Sequence, residues 1–556
     1  MWSGILRRIL WYKVGVGNLV LILLLFISRV LFLSPLAIYF DSPEYVLLIQ
    51  NPSLIKALTL GHEPIHPGFI LPAWLLNKIL PIGALYSAEL VSSLFSALGL
   101  FVFYKTTKLY FYKQIAAKAL IIASLLPVLF LAGVNALTDT TYIFFYLLSF
   151  YCVSRFVFNK NHHTDTKWIF FGILSLGYSV LTHTQVILWL PLFFSPLLFI
   201  KHERKRYTKL ITIFVIEGVG LGIFSLVVVM VSAGGNVFES LKLLFMHGGD
   251  VISSQNPLIA ALRMLRNLAI TLLRNNTSLV VLFAVFSFIK LWKKKRRVAL
   301  FCLIWLLPVL VTAQYWHIGL FGRVSLLASF PIAIMCAHYK SKLVFFILFV
   351  NLLIITIPIA LSNRQAPIQT QLQSLYKSIP SDSILVSSNL IRPQVTFRGE
   401  TYFINEPGQS LVFISNKINT ALIDGRPVYI DSQALFNPYY AYDGNHLHIL
   451  SLSTYGNATI APLFKEFEVK VIRVEDRRNH IYLYQVGKNN GFLDKTQKRT
   501  SPGGFVFYYS DKWQDRISHL RIDYRDIGTW AWVFISGRHE PTSWRIADKS
   551  GVVETP

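Results

Sequence analysis

Asp41 stands where the first long apolar run, Leu19 to Phe40, gives way to a polar stretch containing Glu44, His62, Glu63, His66 and Pro67. A carboxylate at a membrane surface can take a proton from an attacking hydroxyl while an apolar substrate approaches through the bilayer. Glu44 follows three residues later and, on a helical turn, shares a face with Asp41. Asp139, flanked by Thr138 and Thr140, opens a later apolar run. It reads as a further acidic group on the same membrane face or as part of the cap of the helix that follows. The plainer reading of all three carboxylates is a solvated loop charge or a helix cap.

His62, Glu63 and His66 fit the spacing His-Glu-x-x-His, in which a helix sets two imidazoles around zinc with the glutamate beside the bound water. Pro64 lies between the histidines and Pro67 follows, and proline inside a helix costs about 3 kcal/mol or more. The helix that a zinc metalloprotease needs is thus disfavoured, and the histidines suit an irregular loop that binds a substrate or a divalent metal. Arg263, Arg266 and Arg274 precede a late apolar run and, at about 100° per residue, fall on one narrow helical face. Arg323 opens another run on the same side of the membrane. Guanidinium groups gathered there suit a phosphate; the plainer alternative is snorkelling to head groups.

The elements that must position these residues are membrane spans. Of 556 residues, 54% are hydrophobic and 15% charged, and the mean hydropathy is +0.50, which together exclude a soluble globular chain. A ruler of about 20 apolar residues per span gives about eleven spans, the first near 18–40 and the last near 342–361. The net charge of +25 sits mainly in short basic clusters such as Lys201 to Lys209 and Lys293 to Arg297. Placed in alternate loops these all fall inside, as the positive-inside rule requires. Charge therefore reports topology and not nucleic acid, with the N-terminus cytoplasmic and the C-terminal part outside. No small-residue cleavage site follows the first span, so it reads as a retained anchor. Arg29 and Glu89 lie within spans, where ionisable groups face the bundle interior, and a mutual approach is expected. Cys152, Cys302 and Cys336 all sit in apolar runs and suggest no disulfide framework.

From residue 362 the hydropathy falls. Short β-rich runs at 383–387, 401–404, 428–431, 469–474 and 481–486 alternate with helical stretches, the pattern of an α/β domain over 362–488. Residues 489–556, rich in Trp, Tyr and Arg, form a C-terminal extension that either joins this domain or stands apart. The fold class expected is thus a polytopic α-helical membrane protein, residues 1–361, with a C-terminal α/β extracytoplasmic domain.

The order of these motifs resembles the GT-C glycosyltransferases, the membrane enzymes that include protein O-mannosyltransferases and aminoarabinose transferases. Asp41 matches the acidic residue that opens their first outer loop. His66 to Trp74, then Ala88 to Leu94, resemble the His-Pro or Pro-Pro stretch leading into span two. Thr138 to Thr140 resembles their second acidic turn, and Gly322 to Pro331 an Arg-Tyr to Pro segment. Leu181 to Gln185 resembles a Leu-Thr-Lys-Gly-Pro segment with His183 in place of lysine, and in the stretch from His66 to Trp74 Gly68 stands in place of the second proline of the Pro-Pro version. The likeness covers about residues 15–340.

The resemblance implies a sugar donor carried on a polyprenyl phosphate, inversion at the anomeric carbon and Asp41 as general base. It gives Arg263, Arg266, Arg274 and Arg323 to the donor phosphate, with His183 as a further candidate. Glu44, His62, His66, Asp139 and His183 would bind sugar or acceptor. A divalent metal is compatible with this set and not required by it. Lipid, glycan and protein remain open as acceptors, and membrane lipids surround the protein. Other classes are a transporter or flippase of lipid-linked sugars, which should show polar residues at mid-membrane in broken, repeated spans, and a scaffold, for which Asp41 would be indifferent.

Overall fold

The computed structural model describes residues 17–33, 42–59, 65–158, 166–200, 204–232, 277–315, 326–339, 341–357, 367–388, 395–404, 409–431, 433–434, 439–442, 447–451, 467–476, 481–488, 507–509, 544–548 and 551–554. By its contacts the chain divides into two units, one mainly Tyr45–Ala360 and the other mainly Leu361–Ile522.

The first unit is helical. Helix α1 is Gly17–Val30, and three helices precede the next long one: α2 Ser42–Gln50, α3 Leu54–Thr59 and α4 Pro67–Ile79. Then come α5 Ala84–Tyr110, α6 Lys113–Leu125, α7 Pro127–Ala132, α8 Asp139–Phe158, α9 Thr166–Thr182 and α10 Arg204–Ser232. The unit continues with α11 Ser278–Lys294, α12 Arg296–Tyr315, α13 Ser329–His338 and α14 Ser341–Asn351. Among the described residues three helices are long and apolar enough to cross a membrane, within α5, α8 and α10, and shorter apolar helices accompany them.

Three expected spans depart from a simple α-helix. The run at 116–134 is two helices broken at Leu126, whose extended φ −63° and ψ 126° are what a residue before proline, here Pro127, prefers. The last expected span ends its α-helix at Asn351 and continues as a π-turn, Leu352–Thr356. The run after α9 forms a 3₁₀ helix, Thr184–Leu198, with Pro191 and Pro196 inside it. Its 15 residues, at about 2.0 Å rise each, extend about 30 Å, the thickness of a hydrocarbon core, whereas an α-helix of that length falls short.

Buried hydroxyls bind the helices to one another. Ser149 Oγ donates to the Gly172 carbonyl at 2.8 Å and Ser179 Oγ to the Tyr142 carbonyl at 2.8 Å, joining α8 to α9. Tyr146 Oη donates to the Trp189 carbonyl at 2.6 Å, and Trp189 Nε1 to the Trp305 carbonyl at 3.2 Å. Between these bonds Tyr146, Phe150, Phe193, Phe301 and Trp305 pack edge to face or tilted, the arrangement aromatic quadrupoles favour. Arg29 and Glu89 do not pair. The buried Arg29 guanidinium donates to the Ser124 carbonyl at 3.1 Å and lies 4.9 Å from the centre of the Phe130 ring. A main-chain carbonyl and an aromatic ring thus take the place of the expected carboxylate.

The second unit holds a five-stranded mixed sheet. Its strands are β1 Ile384–Ser388, β2 Glu400–Ile404, β3 Val428–Asp431, β6 Phe467–Asp476 and β7 Ile481–Lys488, in the order β2-β1-β3-β7-β6. β1 runs parallel to β2 and β3, while β7 is antiparallel to β3 and β6. Helix α15, Pro367–Lys377, buries Leu372, Leu375 and Tyr376 against Leu385, Tyr429 and Leu483. Helix α16, Leu411–Ile423, makes the crossover from β2 to β3 and is capped by Ser410 Oγ, which accepts from the Phe413 N–H. Further short strands pair: β4 Tyr439–Tyr442 with β5 Leu447–Ser451, and β9 Trp544–Asp548 with both β8 Phe507–Tyr509 and β10 Gly551–Glu554.

Candidate functional site

His66 and His183 come from separate stretches and meet through backbone geometry, and Asp139 lies one helical turn before Tyr142, whose ring packs on His183. His66 precedes α4 with φ −121° and ψ 55°, and Pro67, which lacks an N–H, occupies the first helical position. The residue is outside any helix, so the helix of a His-Glu-x-x-His zinc site does not form at its second histidine. His66 Nδ1 lies 2.9 Å from the Thr182 carbonyl at the end of α9. A carbonyl only accepts, so Nδ1 carries the proton and, in the neutral ring, Nε2 bears the lone pair.

His183 shows the opposite pattern. It is extended, φ −160° and ψ 116°, and its Nδ1 accepts from the Gln185 N–H at 3.2 Å, capping the 3₁₀ helix. Nε2 is therefore the protonated nitrogen of the neutral ring. The two imidazole centres lie 5.0 Å apart, tilted by 33°. Tyr45, on α2 directly after the half-buried Glu44, meets His66 edge-on at 5.8 Å. On the other side Tyr142 lies 5.1 Å from His183.

Gly68 makes this meeting possible. A Cβ at residue 68 would overlap the Thr182 hydroxyl and lie 3.0 Å from the Thr182 Cα. The absence of a side chain lets α4 touch the end of α9, and Tyr178 Oη donates to the Gly68 carbonyl at 2.9 Å.

Asp139 is 2% exposed and is the first residue of α8. Thr138 caps that helix through its carbonyl, which accepts from Thr141 and Tyr142, and the helix N-terminus favours a carboxylate. Tyr142, three residues on, carries the same helical face to His183. The turn before Asp139 is fastened to α5. Ser92 Oγ donates to the Leu137 carbonyl at 3.0 Å and accepts from its N–H at 3.2 Å, while Ser93 Oγ donates to the Gly133 carbonyl at 2.7 Å.

Asp41, His62, Glu63, Arg263, Arg266, Arg274 and Arg323 lie outside the described residues. Among the described residues no three His, Cys, Asp or Glu side chains gather as a metal centre would require. Tyr45, Tyr142, Tyr178 and Thr182 were not foreseen as part of the site. The available signal was the spacing of Tyr142 from Asp139; nothing in the pattern marks a main-chain partner such as Thr182.

Residues 65–232 match the family model described as dolichyl-phosphate-mannose-protein mannosyltransferase. No curated protein sequence matches the chain. Among solved structures, ArnT from Cupriavidus metallidurans bound to undecaprenyl phosphate is 13% identical with a TM-score of 0.49, over 85% of this chain and 98% of that one. The Archaeoglobus fulgidus oligosaccharyltransferase tethered to an acceptor peptide is 12% identical with a TM-score of 0.45, over 86% of this chain and 74% of that one. Similarity this distant carries no weight in assigning a site. The family match spans the stretch that holds His66, Asp139 and His183, and over it the chain has the pattern of the GT-C type membrane glycosyltransferases that its motifs resemble.

Proposed function

We propose that the protein transfers a sugar from a polyprenyl-phosphate carrier to an acceptor at the outer face of a cell membrane, with inversion. The observation that supports this most is that the family match begins beside His66 and takes in the packed rings of His66, His183 and Tyr142 together with Asp139 at the start of the same helix as Tyr142. In this reading the acceptor oxygen attacks the anomeric carbon and gives its proton to Asp41. The bond from that carbon to the phosphate oxygen breaks, and the phosphate leaves with the electron pair. Arg263, Arg266, Arg274 and Arg323 stabilise the charge it acquires, an interaction strengthened in a site that excludes water. Glu44, His62, His66, Asp139 and His183 hold sugar and acceptor. The C-terminal domain, on the outer side in this topology of about eleven spans, selects the acceptor.

The test is transfer of radiolabelled sugar from a panel of polyprenyl-phosphate sugars by the purified protein and by Asp41→Asn. Transfer or donor hydrolysis that disappears in the variant supports both reaction and base. Equal release by both proteins removes Asp41 from the mechanism. Failure of every donor, with label instead crossing the bilayer unchanged, replaces the transferase with a transporter.

A further inference from the structure

Helix α10 presents an open face with a carboxylate on it. Within Tyr207–Ser232 the most apolar stretch of this helix, 18 residues long, has a mean hydropathy of 2.5, and only 22% of it is buried. One side packs on α9, where Gly218 and Gly222 lie against Leu176 and Val180. On the other side Ile213, Ile216, Phe224 and Val228 are exposed, as are Glu217 and Gly220. At about 100° per residue these six positions occupy one arc of about 120°.

Glu217 lies ten residues past Tyr207, about 15 Å along the axis, which is half of a ~30 Å hydrocarbon core. Its two methylene groups cannot carry the carboxyl to the head groups. Among the described residues none pairs with it. An ionisable group at this depth is expensive and normally faces protein, so bare lipid does not explain this face.

We propose that the open face of α10 binds the same face of a second copy of this chain in a parallel two-fold pair. The symmetry decides between occupants. An apolar helix would leave the carboxyl without a hydrogen bond, whereas a second copy places an identical carboxyl at the same depth. Across the two-fold axis each side chain then meets a polar partner that hydrocarbon does not supply. The positions of Ile213, Glu217, Gly220 and Phe224 step by four, three and four residues, the spacing of a helix seam. Gly220 has nothing within 4 Å of the position its Cβ would take, so the two backbones can approach closely there. The pairing does not depend on the reaction assigned above.

The full chain, labelled with one fluorophore per protein and reconstituted in vesicles over a range of protein-to-lipid ratios, tests this by photobleaching steps. Wild type is expected to move from one step to two as density rises. Glu217→Leu weakens that association by about tenfold, while Glu217→Gln, which keeps a donor and an acceptor, stays close to wild type. Oxidation of Ile213→Cys links two copies, and Phe170→Cys, exposed on α9, does not; the native Cys152, Cys302 and Cys336 are buried. A wild-type chain that remains single at all densities, or a Glu217→Leu variant that pairs like wild type, overturns the proposal. Equal cross-linking at positions 213 and 170 overturns it also.

Discussion

Gly68→Ala tests the geometry of the site with one methyl group. The added carbon would overlap the Thr182 hydroxyl and sit 3.0 Å from the Thr182 Cα, inside ordinary contact. Backbone cannot yield as a flexible side-chain tip does, so α4 must withdraw from the end of α9 by on the order of 1 Å. That movement stretches the His66 to Thr182 bond, now 2.9 Å, and the Tyr178 to Gly68 bond, also 2.9 Å. Overpacking and two weakened buried hydrogen bonds together cost about 3 to 5 kcal/mol of stability. The 5.0 Å approach of His66 to His183 is lost with them, and a displacement of about 1 Å at groups that position a substrate costs about 100-fold in rate. The assay is kcat/KM for label transfer beside thermal unfolding in the same detergent. Thr182→Gly in the Gly68→Ala background removes the overlapping hydroxyl, so the double variant should recover part of both losses, a coupling that independent sites do not show. A Gly68→Ala protein as stable and active as wild type would refute the claim that this contact sets the site.

Ser92→Ala removes both hydrogen bonds to Leu137 and leaves a buried N–H and carbonyl unmatched, at a cost of about 1 to 3 kcal/mol; because the same turn sets Asp139, label transfer should fall further than for an equally destabilising change elsewhere in α5. In the second unit, burial pushes the Asp431 carboxyl up to about 6, against hydrogen bonds from Ser387, Ala434 and Tyr376 that hold it down. Its folded pKa is above the unfolded value, so its contribution to stability is full below about pH 4 and is lost as pH rises through about 6, on the order of 3 kcal/mol in all. Amide exchange in β1 and β3, corrected for intrinsic rates, should be slower at pH 4.5 than at pH 7 on about that scale, and Asp431→Asn should flatten the difference; slower exchange at pH 7 would reverse the sign and defeat the argument. Trp189→Phe keeps most of the packing but removes the donor to the Trp305 carbonyl, so unfolding should be easier by about 1 kcal/mol with little change in KM for the donor.

The parts legible in the sequence were those with a local cause. The strands at 401–404 and 428–431 and the helix beginning at Asp139 appear within a residue of where apolar pattern and caps place them. The 3₁₀ helix was not foreseen, although Pro191 and Pro196 mark a run in which an α-helix would lose hydrogen bonds. His66, Asp139 and His183 could each be nominated from residue type and neighbours. The meeting of His66 with His183 could not, because it is set by main-chain atoms of Thr182 and Gly68, which any residue supplies. The expected meeting of Arg29 and Glu89 failed for a related reason. Opposite charge says nothing about depth, and Ser124 offers Arg29 a carbonyl at its own level.

The hydrogen bonds of the two histidines also limit what they can do. Each uses Nδ1 on the backbone, His66 as donor to Thr182 and His183 as acceptor from Gln185. In their neutral forms Nε2 then bears a lone pair on His66 and a hydrogen on His183. The two Nε2 atoms thus differ in kind, an acceptor on His66 and a donor on His183. A divalent ion is held through a lone pair, which Nε2 of His183 lacks in this tautomer. To ligate it through Nε2, His183 would have to move its proton to Nδ1 and surrender the cap of the 3₁₀ helix, so metal binding there would carry a cost in the geometry of that helix. The substitution of histidine for the lysine of the resembled motif therefore favours a neutral polar contact over a fixed cation at this position.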